Sequence, residues 1–155
     1  IRAAVFILGD DNAIPPSNVD RGYILRRLIR RAIRYGKLLG IETNFTTALA
    51  KITIHEYHDY YTELEKNKPY ILEELEKEES KFQLTLEKGL REFNKMAVQT
   101  DVLSGKQTFL LFQSYGFPLE MTQELALEQN ITVDEAAFKE EYTKHQELSK
   151  TASAG

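Results

Sequence analysis

Apolar residues in this chain recur mostly at spacings of three and four, the mark of helices that bury one face. Residues 1–8 read as the end of a buried helix. Gly9, Asp10, Asp11, Asn12, Pro15, Pro16, Ser17 and Asn18 then make residues 9–19 a loop of turn formers. Asp20 is the expected N-cap of a second helix, which runs to about Leu39 and stops at Gly40. Thr43 or Asn44 can cap a third, reaching about Tyr60, whose β-branched content makes it depend on packing. A bend at residues 67–69 precedes the longest helix, residues 70–98. There Leu72, Leu75, Phe82, Leu86, Leu90 and Phe93 form one apolar stripe that Glu79 interrupts. Ser104 starts a short helix that Gly116 ends. Phe117 and Pro118 lead into another through about Gln129, and Asn130 breaks it. Asp134 opens the last helix, with Ala137, Phe138 and Tyr142 facing inward. The expected fold is all-α: a compact multihelical domain over residues 1–148, with a long central helix and a basic amphipathic one. A division after about Asp101 is the alternative, and residues 149–155 are expected to fray or to link to a further domain.

Composition supports a soluble domain and removes several chemistries. The 155 residues are 42% apolar and 28% charged, enough to bury a core without disulfides. There is no cysteine, which excludes a disulfide scaffold, a thiolate zinc site and a cysteine nucleophile. The longest apolar run, residues 3–8, is far short of the roughly 20 residues a membrane span needs. The first residue is Ile, as expected of a segment of a longer protein.

Net charge is −4, which by itself argues against a nucleic-acid partner. The average conceals an asymmetry. Residues 21–37 hold seven cations and no acid, so the remainder carries thirteen cations against 24 acids, a balance of −11. On a helical wheel Ile24, Leu25, Leu28, Ile29, Ala32, Ile33, Tyr35 and Leu39 share one side. Arg26, Arg27, Arg30, Arg31, Arg34 and Lys37 share the other, over an arc of about 140° that also takes in Tyr23 and Leu38. Arg pairs at i,i+4, such as Arg26–Arg30, repel unless an anion offsets them. Arginine outnumbers lysine here, and its planar fork suits phosphate. Two readings follow: contact with a nucleic-acid backbone, or pairing with carboxylates elsewhere in the chain or on a neighbouring domain.

Other clusters point to ordinary surface. His55 and His58 stand at i,i+3, which is not the His-Glu-x-x-His spacing of metal hydrolases, so no metal ligand set is expected. Glu73, Glu74, Glu76, Glu78 and Glu79, with Lys77 and Lys81, read as a solvated helix face with local ion pairs. No phosphate-cradling glycine loop or nucleophile elbow occurs, and no catalytic residue is expected.

Several segments, in order and spacing, resemble the alanyl-tRNA synthetase family. They are Ile1-Arg2-Ala3-Ala4 to Leu8, Pro16-Ser17-Asn18, and Arg21-Gly22-Tyr23-Ile24-Leu25-Arg26-Arg27-Leu28-Ile29-Arg30-Arg31-Ala32. Leu86-Glu87-Lys88-Gly89-Leu90, Leu103-Ser104-Gly105, Ser114-Tyr115-Gly116-Phe117-Pro118-Leu119 and Val133-Asp134 with Phe138 continue the likeness to about Thr151. The resemblance implies the helical tRNA-recognition domain that follows the class II catalytic core, also called an anticodon-binding domain. It implies a cytoplasmic alanine–tRNA ligase as parent. ATP, magnesium and zinc would be used in other domains, with none of them bound by this segment.

The family reads a G·U wobble pair in the acceptor stem of its tRNA through an Asn and an Asp that approach from the two grooves. The Asn of its Pro-Ser-Asn motif matches Asn18. The Asp precedes its Thr-Tyr-Gly-Phe-Pro motif, and Gln113 holds that position here, an amide in place of a carboxylate. The nucleic-acid-binding candidates are therefore Asn18 and Gln113 for base edges, with Arg21, Arg26, Arg27, Arg30, Arg31 and Arg34 for phosphate or interdomain pairing. The expected partners are the tRNA acceptor stem and the adjacent catalytic domain of the same chain, with no membrane. The rivals are a non-catalytic helical protein-interaction module that uses the Arg face, and a basic-helix DNA binder.

Overall fold

The helical spacings resolve into eight helices in a computed structural model that describes residues 1–155. They are α1 (Arg2–Gly9), α2 (Asp20–Leu38), α3 (Thr46–Tyr57), α4 (Thr62–Lys66), α5 (Lys68–Ala97), α6 (Gly105–Tyr115), α7 (Leu119–Glu128) and α8 (Glu135–Ala154). Two short strands, β1 (Val102–Leu103) and β2 (Thr132–Val133), pair in parallel with Val102 opposite Thr132. Neither the strand pair nor α4 is visible in the helical spacing. The chain divides within α5 into two compact units, Ile1–Leu84 and Thr85–Gly155, rather than near Asp101.

In the first unit α1 packs against α2, α3 and α4. Ala4, Val5, Leu8, Leu25, Ile29, Ile33, Ile54, Leu64, Ile71, Leu75 and Phe82 are all buried. Helix α3 corrects the sequence reading. Its N-cap is Phe45, with no side-chain cap of its own, and not Thr43 or Asn44. The orphan donors at its start are satisfied by Glu79 from α5. That carboxylate accepts from the Phe45 amide at 3.0 Å, the Thr46 amide at 2.9 Å and the Thr46 hydroxyl. Glu79 is 1% exposed, so the acid that interrupts the apolar stripe is a buried cap from a distant helix. The wet-face reading holds for Lys77, which pairs with Glu73 at 2.9 Å, and fails for Glu78 and Glu79.

The second unit is capped from within its own sequence. The Ser104 hydroxyl accepts from the Gln107 amide at 3.1 Å, and the Gln107 side chain accepts from the Ser104 amide at 3.0 Å, closing a capping box on α6. Gly116 ends α6 at φ 71°, in the left-handed region. The next residue, Phe117, is fully buried and lies against Gly89 of α5, where a Cβ would overlap its ring. The Asp134 carboxylate caps α8 by accepting from the Ala137 amide at 3.0 Å. Phe112 of α6 meets Phe138 and Tyr142 of α8 edge to face as the two helices pack together. Residues 149–154 continue α8 as exposed helical turns.

Candidate nucleic-acid interface

The loop ahead of α2 is seated by a glycine. A Cβ on Gly22 would overlap the Ser17 hydroxyl and crowd the Pro15 carbonyl, so only glycine lets the loop lie against the first turn. The Ser17 amide donates to the Gly22 carbonyl at 3.0 Å. The Ser17 hydroxyl donates to the Val19 carbonyl at 3.1 Å and accepts from the Val19 amide at 3.3 Å. Asp20 is not the expected cap. It is the first residue of α2, has φ 50° and makes no capping bond, and Val19 holds the N-cap position. Asn18 is exposed on this loop, and its Oδ1 accepts from Arg26 NH1 at 2.8 Å.

Arg26 is in turn held by Glu78 of α5. The Glu78 Oε1 accepts from Arg26 Nε at 2.8 Å and from Arg30 Nε at 2.7 Å. Arg26 also lies 3.5 Å from the Pro16 carbonyl oxygen, and the Arg30 guanidinium sits over the Phe82 ring at 4.9 Å. Burial pushes the Glu78 carboxyl up. The hydrogen bonds and charges of Arg26 and Arg30 outweigh it and hold the group below the usual carboxylate value. Burial lowers Arg30 from the ordinary arginine value, while Glu78 opposes that shift.

This pairing rotates the buried face of α2 away from the one its apolar residues predict. Arg30 and Arg34 are 4% and 3% exposed, whereas Ile24 and Leu39 are 45% and 80% exposed. Tyr35 and Leu38 are exposed too. The charged arc is therefore not one solvated rail. Arg26 and Arg30 take the internal-pairing role that the sequence left open. Arg21, Arg31 and Lys37 face solvent, and Arg27 is half-buried. The Arg31 guanidinium lies 5.5 Å from the Tyr35 ring. Arg21 also borders an open cleft of about 320 Å³ lined by Phe6, Ile7, Asp10, Asn12 and Ile14.

Gln113 belongs to the second unit. It is exposed near the end of α6, just ahead of the Gly116 cap that fixes the following turn. The sequence reading missed Glu78 and Glu79 as organising residues. Their one visible signal was the break that Glu79 makes in the stripe.

Across residues 1–155 the sequence matches the family described as tRNA synthetases class II (A). The chain belongs to that family. It is 46% identical over 152 residues to the alanine–tRNA ligase of Borrelia hermsii (strain HS1 / DAH), covering 97% of this chain and 26% of the relative. To the alanine–tRNA ligase of Treponema pallidum (strain Nichols) it is 44% identical over 155 residues, covering 97% of this chain and 26% of that protein. To that of Microcystis aeruginosa (strain NIES-843 / IAM M-2473) it is 42% identical over 153 residues, 98% of this chain and 17% of the relative. The chain thus spans 17–26% of the length of these alanine–tRNA ligases. No helix is long and apolar enough to cross a membrane.

Proposed function

We propose that this chain is the helical tRNA-recognition part of an alanine–tRNA ligase. It contributes to the ATP-dependent joining of alanine to its tRNA by engaging the acceptor stem. The observation that carries the reading is the Asn18 loop. It holds an exposed amide beside a cationic helix in a chain matched end to end by a tRNA synthetase family. Asn18 and Gln113 are the base-edge candidates, since amides can donate and accept at unusual base pairs. Arg21, Arg27 and Arg31 are the phosphate candidates. Arg26 and Arg30 instead hold the loop and α2 in place. ATP, magnesium and zinc belong to other parts of the ligase.

The exposed Ile24, Tyr35, Leu38 and Leu39 support a second role for α2, docking on the adjacent catalytic domain of the same chain. A filter-binding titration of the full-length ligase with its tRNA, across salt concentrations, separates the two roles. Arg21→Glu with Arg31→Glu is expected to weaken tRNA binding about tenfold or more and to flatten its salt dependence. Unchanged binding and salt slope, with the fold intact, would leave protein docking as the function of this face.

A further inference from the structure

The amide of Asn18 has its orientation chosen by its neighbour. A guanidinium carries only donors, so the Asn18 atom 2.8 Å from Arg26 NH1 must be the oxygen. Arg26 cannot swing away freely. Its Nε donates to Glu78 Oε1 at 2.8 Å, and that carboxylate is itself buried and bound to Arg30 at 2.7 Å. Arg26 is 11% exposed and Glu78 5%. The chain of contacts runs from a buried carboxylate on α5, through one guanidinium of α2, to an exposed amide on the loop.

We infer that Arg26, anchored by Glu78, is a positioning residue that fixes the Asn18 amide with its oxygen turned inward. The inference rests on the reading of Asn18 as a base-edge contact. With Oδ1 held by Arg26, the plane of the amide is fixed, and with it the directions in which Nδ2 can donate and the second lone pair of Oδ1 can accept. Arg26 would shape wobble-pair selectivity without touching the RNA. A lysine cannot replace it, because one ammonium lacks the planar fork that reaches the carboxylate and the amide in fixed directions.

The test measures kcat/KM for charging by the full-length ligase. It uses two alanine tRNA transcripts, one with the G·U pair and one with a G–C pair, and reads the ratio. Asn18→Ala, Asn18→Asp, Arg26→Met and Arg26→Lys are each expected to lower the ratio about tenfold. The G–C tRNA should be affected far less than the G·U tRNA. Asn18→Asp keeps an oxygen for Arg26 while changing the chemistry the side chain offers to RNA. The double variant Asn18→Ala with Arg26→Met should match Asn18→Ala alone, because the second change acts through a side chain already gone. Equal loss on both tRNAs, a full rescue by Arg26→Lys or an additive double variant would overturn the positioning role. A wild-type ratio in Asn18→Ala would overturn the base-edge reading of Asn18 and the inference with it. A normal ratio in Arg26→Met beside a lowered one in Asn18→Ala would overturn the inference alone. Thermal melting of each variant identifies any that fails to fold. If Arg26→Met is lost in that way, Arg26→Lys decides the question.

Discussion

In residues 1–84, α2 and α3 are held by carboxylates far along the chain, and in residues 85–155, α6 and α8 are capped by their own neighbours. Glu79 closes the start of α3 from 33 and 34 residues away, and Glu78 clamps α2 from 48 and 52. Ser104 and Gln107 close α6 from three residues apart, and Asp134 closes α8 over the same span. The remote Glu79 cap and the local caps satisfy the same kind of orphan donor. The local solution leaves a pattern in the sequence. The remote one leaves acids where apolar residues belong, and its cost of desolvation is offset only while every partner stays in place.

The comparison can be broken at its strongest contact first. Glu79→Ala strips an acceptor from the part-buried Phe45 amide and from the buried amide and hydroxyl of Thr46. It is expected to destabilise the first unit by about 3 kcal/mol in urea unfolding, with Glu79→Gln milder. A loss no larger than that of an exposed acid would mean that α3 does not depend on its remote cap.

Glu78→Gln keeps an acceptor but removes the charge between Arg26 and Arg30, and should cost about 2 kcal/mol at neutral pH. The pH dependence has a definite sign. The folded pKa of Glu78 lies below its unfolded value, so its stabilisation is present above the unfolded carboxylate pKa. That stabilisation is lost as pH falls through the folded pKa. The gap between wild type and Glu78→Gln should therefore narrow in acid, and a constant gap would show that the charge does not matter.

Ser104→Ala should have the smallest effect, about 1 kcal/mol, confined to the second unit. Amide hydrogen exchange would place that loss at the start of α6. A loss spread through α3 would erase the distinction between local and remote capping.

Legibility follows the same divide. Ser104, Gly116, Asn130 and Asp134 were readable because each acts within a turn of its own helix, where residue type and spacing are enough. Asn130 takes φ 58° at the break expected of it. Thr43 and Asn44 misled because the true cap of α3 is not local. The apolar face of α2 misled for a related reason. Periodicity assigns arginine to water, yet a buried carboxylate and the Phe82 ring make a site where Arg30 is 4% exposed. Asn18 could be chosen from its motif, but its hydrogen bond to Arg26 could not.

By itself the sequence determined a mostly helical chain, its helix ends in the second unit, the concentration of positive charge on α2 and membership of a class II synthetase family. Those properties rest on short-range spacing or on motif order, which a linear string records. Only the tertiary structure decided which side of α2 is buried, which arginines are used internally, and that two glutamates of α5 organise the first unit. The reason is physical. A charge is kept in a core by partners brought together in space, and the pairing of residues tens of positions apart exists only once the helices have packed.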